Sequence, residues 1–257
     1  MVRLTDVFRR LRASGAMAFI PYLTAGYPSL SVSMEMYRKF AEWGADIIEI
    51  GVPFSDPIAD GPVIQRATHT ALQQGVTLRD ILAALRDTSI PAAKVLMSYL
   101  NPLLAYGRER LLADLRAVDV VGLIIPDLPV EEADVWWRSA REHDIDLVFL
   151  VAPTSTETRI RKIAARATGF LYCVSVTGTT GERDRLPAGL VRFLDRVRGF
   201  TDCPLAVGFG IRDPEQVKHL RGHADGVVVG SRIIRAIHEG EDVASLIRAF
   251  HWACRGE

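Results

Sequence analysis

Eight times along this chain a short apolar run is followed by a longer amphipathic stretch, and that alternation constrains the fold more than any other feature. The apolar runs are 18–23, 46–50, 94–97, 121–125, 146–151, 170–174, 205–207 and 226–229. They are rich in apolar and β-branched residues and bounded by Gly, Pro or Asp, as strands are. Helical stretches fall between them at 31–43, 78–86, 108–115, 131–141, 156–166, 190–198 and 214–220, with a last one at 243–252. Strand–helix alternation predicts a parallel sheet, and near-continuous apolar strands suit a sheet covered on both faces. Eight such units close most simply as a (β/α)8, or TIM, barrel, and 257 residues match its usual size. The alternative, an open doubly wound sheet, usually carries a GxGxxG turn after its first strand; here that position reads TAGYPS. No Pro/Ser-rich tract or charge block divides the chain, so residues 1–257 are expected to form a single barrel domain. The opening MVRLTDVFRRLRASG is expected to be an extra helix closing one end of the barrel rather than a targeting peptide.

The 31 basic and 31 acidic residues cancel, which argues against nucleic acid or an anionic membrane as the main partner. No apolar run has the length of a membrane span. The three cysteines, Cys173, Cys203 and Cys254, are widely spaced and contain no CxxC pair. Neither a disulfide framework nor a zinc site is expected, and a reducing cytoplasm fits best. His219 and His223 are four apart, but Gly222 weakens a helix there and no third ligand is near, so no metal site is expected.

The second strand and the loop after it read ADIIEIGVPFSDPIADGPVIQ. Side chains alternate along a strand, so Ile47, Glu49 and Gly51 share one face while Ile48 and Ile50 share the other. Glu49 then points into the barrel at the C-terminal end of a strand, where active sites of this fold sit. A carboxylate in an apolar run is costly to bury unless it is paired or its pKa is raised. A raised pKa suits a group that gives and takes a proton near neutrality. The competing reading is a buried ion pair with Lys94 or an arginine. For Asp60 two readings stand level: a catalytic carboxylate, or the N-cap of the helix that opens GPVIQRATHTAL. Asp56, in the same proline-rich loop, also reads as a turn residue.

Glycine-bearing turns follow the last three strands: SVTGTTGER, GFGIRDPE and GSRIIRAI. Backbone N–H groups at such turns, and at the start of a short helix after the eighth strand, stabilise an anion, and a phosphate site in this position recurs in the fold. Ser231 adds a hydroxyl donor. The polar SVTGTTGER segment also suits a closing lid over 177–187, with Gly178 and Gly181 as hinges.

The string IEIGVPFSDPIADGPVIQ closely resembles the signature of tryptophan synthase alpha subunits. PYLTAGYP, LMSYLNPLLAYG, IIPDLPVEE, VTGTTG, VGFGI and VVVGSRI resemble that family in the same order, so the resemblance spans essentially the whole chain. It implies a (β/α)8 barrel that cleaves indole-3-glycerol phosphate to indole and glyceraldehyde 3-phosphate in tryptophan biosynthesis. It implies catalytic roles for Glu49 and Asp60, and phosphate binding by Gly181, Gly210, Gly230 and Ser231. It implies an indole pocket of Tyr22, Tyr99, Ile124, Tyr172 and Thr180, and a partner-contact loop holding Pro53, Asp56 and Pro57. The implied partner is a beta subunit, in an alpha2beta2 heterotetramer, that carries pyridoxal phosphate; no cofactor is implied in this chain. A stand-alone lyase of the same descent, releasing free indole, is the alternative. Two positions depart from the family's usual pattern: Thr179 replaces an apolar residue, and Tyr22 stands where Phe is frequent.

Overall fold

The computed structural model describes residues 2–174, 189–208 and 210–257. Eight strands, β1 (Ala18–Thr24), β2 (Ile47–Gly51), β3 (Ala93–Met97), β4 (Val120–Ile124), β5 (Asp146–Val151), β6 (Leu171–Val174), β7 (Leu205–Gly208) and β8 (Gly226–Val229), form a closed parallel barrel in chain order. Closure is made by β1 against β8, with Ala18 opposite Gly226 and Pro21 opposite Val229. The expected eight strands are all present, each within about a residue of its predicted bounds.

Twelve helices are seen among the described residues: α1 (Leu4–Ala13), α2 (Leu30–Glu42), α3 (Pro62–Gln73), α4 (Leu78–Asp87), α5 (Leu100–Tyr106), α6 (Arg108–Ala117), α7 (Asp134–Glu142), α8 (Glu157–Ala164), α9 (Leu190–Arg198), α10 (Pro214–Lys218), α11 (Ser231–Glu239) and α12 (Val243–Arg255). Most of them cover the outer face of the sheet, where Phe19 of β1 stacks on Phe250 of α12 with ring centroids 5.7 Å apart. None of the described helices is long and apolar enough to cross a membrane.

The N-terminal end of the barrel is built for stability. Helix α1 carries Leu4, Val7, Phe8 and Leu11 at helical spacing, and all four are buried. It plugs the barrel floor: a Cβ at Gly122 or Gly169 would press on the Leu4 side chain at 2.9 or 2.8 Å. Charges at this end are paired. Asp225 binds Arg12 and Arg198 and accepts the Leu205 N–H, and together they hold its carboxyl below the usual range against the cost of burial. Asp46 accepts from Arg255 at 2.8 Å and from the Phe19 N–H at 3.0 Å. The three cysteines are free. Helix α10 ends at Lys218, so His219 and His223 do not share a helix face, and His223 instead pairs with Asp195 at 2.7 Å.

Candidate active site

Strand register sets the first carboxylate. Glu49 lies opposite Tyr22 of β1 and Val95 of β3, while Lys94 lies opposite Ile48. Lys94 therefore sits on the outer face of the sheet, where the charge of Asp119 acts on it. The ion pair weighed for Glu49 is not formed with Lys94, and among the described residues no ion pair reaches Glu49. Glu49 is 2% exposed, and its Oε2 has no hydrogen-bond partner. Burial, with the charge of Asp60 second, pushes its pKa up to about 8.

Asp60 is placed by the loop between β2 and α3. The loop is pinned from both sides: the Ala59 N–H donates to the Tyr99 hydroxyl at 2.9 Å, and Gln65 Nε2 donates to the Asp60 carbonyl at 2.8 Å. Asp60 is not the helix cap. The N-cap of α3 is Gly61, with Pro62 at the first helical position and no side-chain cap bond. The Asp60 carboxyl is 4% exposed and shares a hydrogen bond with the Tyr99 hydroxyl. Burial outweighs that bond and raises its pKa to about 7.

Both carboxylates open on one cavity of about 160 Å³ at the C-terminal end of the strands. Tyr22 and Tyr172 form its inner walls, and each needs a glycine behind it. A Cβ at Gly51 would overlap the Tyr22 hydroxyl, and one at Gly208 would overlap the Tyr172 ring. The other edge of the Tyr22 ring lies against Gly230. Tyr22 thus divides the carboxylate end of the cavity from the glycine turns. Its buried hydroxyl bonds Thr24 Oγ1 at 3.2 Å.

The far end of the cavity is lined by Gly210, Ile211 and Arg212 after β7 and by Gly230, Ser231, Arg232 and Arg235 at the start of α11. Gly210 has a positive φ of 87°, which a side chain would strain. Of the residues singled out from sequence, the cavity therefore brings together Tyr22, Glu49, Asp60, Tyr172, Gly210, Gly230 and Ser231. Tyr99 and Ile124 do not line it: Tyr99 stands behind Asp60, and Ile124 is packed at the end of β4. Thr180 and Gly181, and with them Gly178, Thr179 and the expected lid, lie outside the described residues. Sequence reading missed the three arginines. Arg232 and Arg235 are three apart on α11, a spacing that makes them neighbours on one face of the helix. Arg232 is tied to Glu241 by bonds of 3.1 and 2.6 Å.

Outside the cavity, the loop expected from sequence to meet a partner is split. Pro53 is buried and Pro57 half-buried, while Asp56 is exposed and accepts from the Ser55 hydroxyl at 2.5 Å. The neighbouring Ile58 is 75% exposed and Leu104 of α5 is 55% exposed, on a groove shared with Phe54 and Asp127.

The raised pKa of Glu49 has a consequence for stability. Unfolded, its carboxyl titrates near 4.5; folded, near 8. Between those values the folded chain holds a proton that the unfolded chain has lost, so stability falls as pH rises through this window and levels off above it. Glu49→Gln imitates the neutral form. It is expected to melt close to the wild type at about pH 5 and several degrees higher at about pH 9. Equal melting temperatures at both pH values would remove the burial strain from Glu49.

Comparison with known proteins agrees with this arrangement. The family profile described as tryptophan synthase alpha chain matches residues 8–255. The tryptophan synthase alpha chain of Roseiflexus castenholzii is 48% identical over 250 residues, covering 95% of this chain and 96% of that one. The alpha chain of Carboxydothermus hydrogenoformans is 46% identical over 241 residues, covering 92% and 90%. Among solved structures, Mycobacterium tuberculosis tryptophan synthase superposes with a TM-score of 0.92 at 40% identity, covering 98% of both chains. Barrel, paired carboxylates, glycine turns and full-length similarity converge: the chain belongs to the tryptophan synthase alpha chain family.

Proposed function

We propose that this chain is a carbon–carbon lyase that cleaves indole-3-glycerol phosphate to indole and glyceraldehyde 3-phosphate, with Glu49 as proton shuttle and Asp60 as partner of the indole nitrogen. One observation carries the assignment of roles. Two buried carboxylates with raised pKa values share a cavity whose other end is a set of glycine turns and a helix N-terminus. That layout suits a substrate with an aromatic head and a phosphate tail.

The chemistry follows from the two environments. Protonated Glu49 delivers its proton to indole C3, which leaves C3 saturated and the ring nitrogen positively charged. Anionic Asp60 accepts the hydrogen bond of that N–H and offsets the charge. Glu49, now a carboxylate, takes the proton of the side-chain hydroxyl. The C3–carbon bond breaks, its electron pair returns to the ring, and the new carbonyl is the aldehyde of glyceraldehyde 3-phosphate. One proton is given and one recovered, so Glu49 ends as it began. The phosphate sits on the backbone N–H groups at Gly210, Gly230 and Ser231, with Gly181 completing the set. Tyr22 and Tyr172 flank the ring, and Tyr99 holds Asp60 in place.

The working assembly in this reading is an alpha2beta2 complex in the cytoplasm. The beta subunit takes up the indole and supplies pyridoxal phosphate chemistry, while this chain's step is acid–base work by its own carboxylates. The exposed apolar pair Ile58 and Leu104, beside Asp56 on the active-site end of the barrel, supports docking there. The test is the steady-state release of indole from indole-3-glycerol phosphate by purified chain, with and without a tryptophan synthase beta subunit. Slow release alone and a rise of about tenfold or more with the partner are expected. Fast release that a beta subunit leaves unchanged would point to a stand-alone lyase, and conversion of other phosphosugars without indole release would end the assignment.

A further inference from the structure

Among the described residues two buried side-chain atoms have no hydrogen-bond partner: Glu49 Oε2, within the carboxylate pair, and Gln216 Nε2. Gln216 lies on α10, is 6% exposed and does not line the cavity. A buried amide donor without an acceptor destabilises a fold, and it asks for a reason. The other half of the same carboxamide suggests one. Gln216 Oε1 accepts two consecutive backbone N–H groups, Arg212 at 2.9 Å and Asp213 at 3.2 Å.

Those amides belong to the turn after β7, whose residues Gly210, Ile211 and Arg212 line the end of the cavity that also holds Ser231 and Arg232. The turn is anchored once more where the Asp213 carboxylate accepts the Glu215 N–H at 2.9 Å and caps α10. The Gln216 oxygen fixes the direction of the Arg212 and Asp213 N–H groups, at the end of the turn that lines the cavity. Anion binding by backbone N–H groups depends on that direction.

We infer that Gln216 is a positioning residue for phosphate recognition: its oxygen sets the shape of the 210–213 turn, and its amide group gains an acceptor when the turn tightens on the anion. The inference rests on the lyase reading above, and deepens it. Gln216 touches no reacting atom; it acts through the turn.

Gln216→Met keeps the length of the side chain and removes both hydrogen-bonding functions. Glycerol 3-phosphate, which carries the phosphate end and no indole, is the probe. The variant is expected to raise its Kd, and the KM for indole-3-glycerol phosphate, about tenfold, with kcat changed by less than about threefold and the Kd for indole unmoved. Lys218→Met, on the exposed side of the same helix, serves as the control and leaves all four values as in the wild type. Wild-type affinity for glycerol 3-phosphate in Gln216→Met overturns the inference, as does an equal loss of affinity for indole and for glycerol 3-phosphate. A second measurement needs no variant. In the wild-type chain, saturation with glycerol 3-phosphate is expected to slow solvent exchange of the Gln216 side-chain amide protons by about tenfold or more, and unchanged exchange overturns the inference. Failure of the wild type to release indole would instead sink the lyase reading, whatever the probe shows.

Discussion

Replacing Glu49 with glutamine is expected to lower kcat for indole release by about 10³-fold while KM stays within about threefold. The side chain keeps its size and its place opposite Tyr22, so the cavity is unchanged. What is lost is proton exchange. An amide can neither protonate C3 nor take the hydroxyl proton, and both transfers in the proposed cycle pass through this one group. Among the described residues no second acid holds the same position: Tyr22 and Tyr172 are fully buried phenols whose pKa values burial drives well above 10. Neither can replace a carboxyl that titrates near 8. Single-turnover rates of the variant are the direct measurement, and a loss of less than about tenfold would transfer the shuttle to another group.

Replacing Asp60 with asparagine is expected to cost about 10²- to 10³-fold in kcat/KM. The asparagine oxygen still accepts the indole N–H, and the Tyr99 hydroxyl still has a neighbour to bond. The missing element is the full negative charge opposite a nitrogen that turns positive, at a residue only 4% exposed. The pH profile separates this from simple misplacement. In the wild type, kcat/KM is expected to rise as Asp60 ionises near pH 7 and to fall as Glu49 loses its proton near pH 8. The acidic limb should vanish in Asp60→Asn and the basic limb persist. Retention of both limbs would assign the acidic one to a different residue, and a normal rate would leave Asp60 as a loop residue held by Tyr99.

The two carboxylates also mark where sequence reasoning was sufficient and where it was not. Strand period alone puts Glu49 on the inner face, because that inference needs only alternation within five residues of β2. Asp60 was ambiguous because an Asp two residues ahead of a helix-starting Pro has the composition of a cap. Only the backbone shows that Gly61 takes that position. Helix α5 was not expected: seven residues containing Pro102 are too short to show a period, and LNPLLAYG reads as loop chemistry. Tyr99 stands behind Asp60 rather than on the cavity wall because of how the loop after β2 folds over the end of β3, a contact between segments some forty residues apart. The arginines beside Gly210 and Ser231 carried no motif of their own. They became visible once the ends of β7 and β8 were adjacent.

Closure of the barrel has a consequence for how the molecule is made. The seam joins β1 to β8, and just before β1 the Met17 N–H donates to the Cys254 carbonyl of α12. During synthesis β1 has β2 on one side only, and its other edge waits until β8 has left the ribosome. Until then an apolar strand edge and the underside of α1 are open to wrong partners. The final pairing joins Ala18 to Gly226, far apart in sequence, which makes assembly slow relative to helical proteins of similar size. Shortening the chain before β8 would therefore not yield a smaller barrel. It would leave two unmatched edges, and the expected product is aggregate rather than a stable fragment.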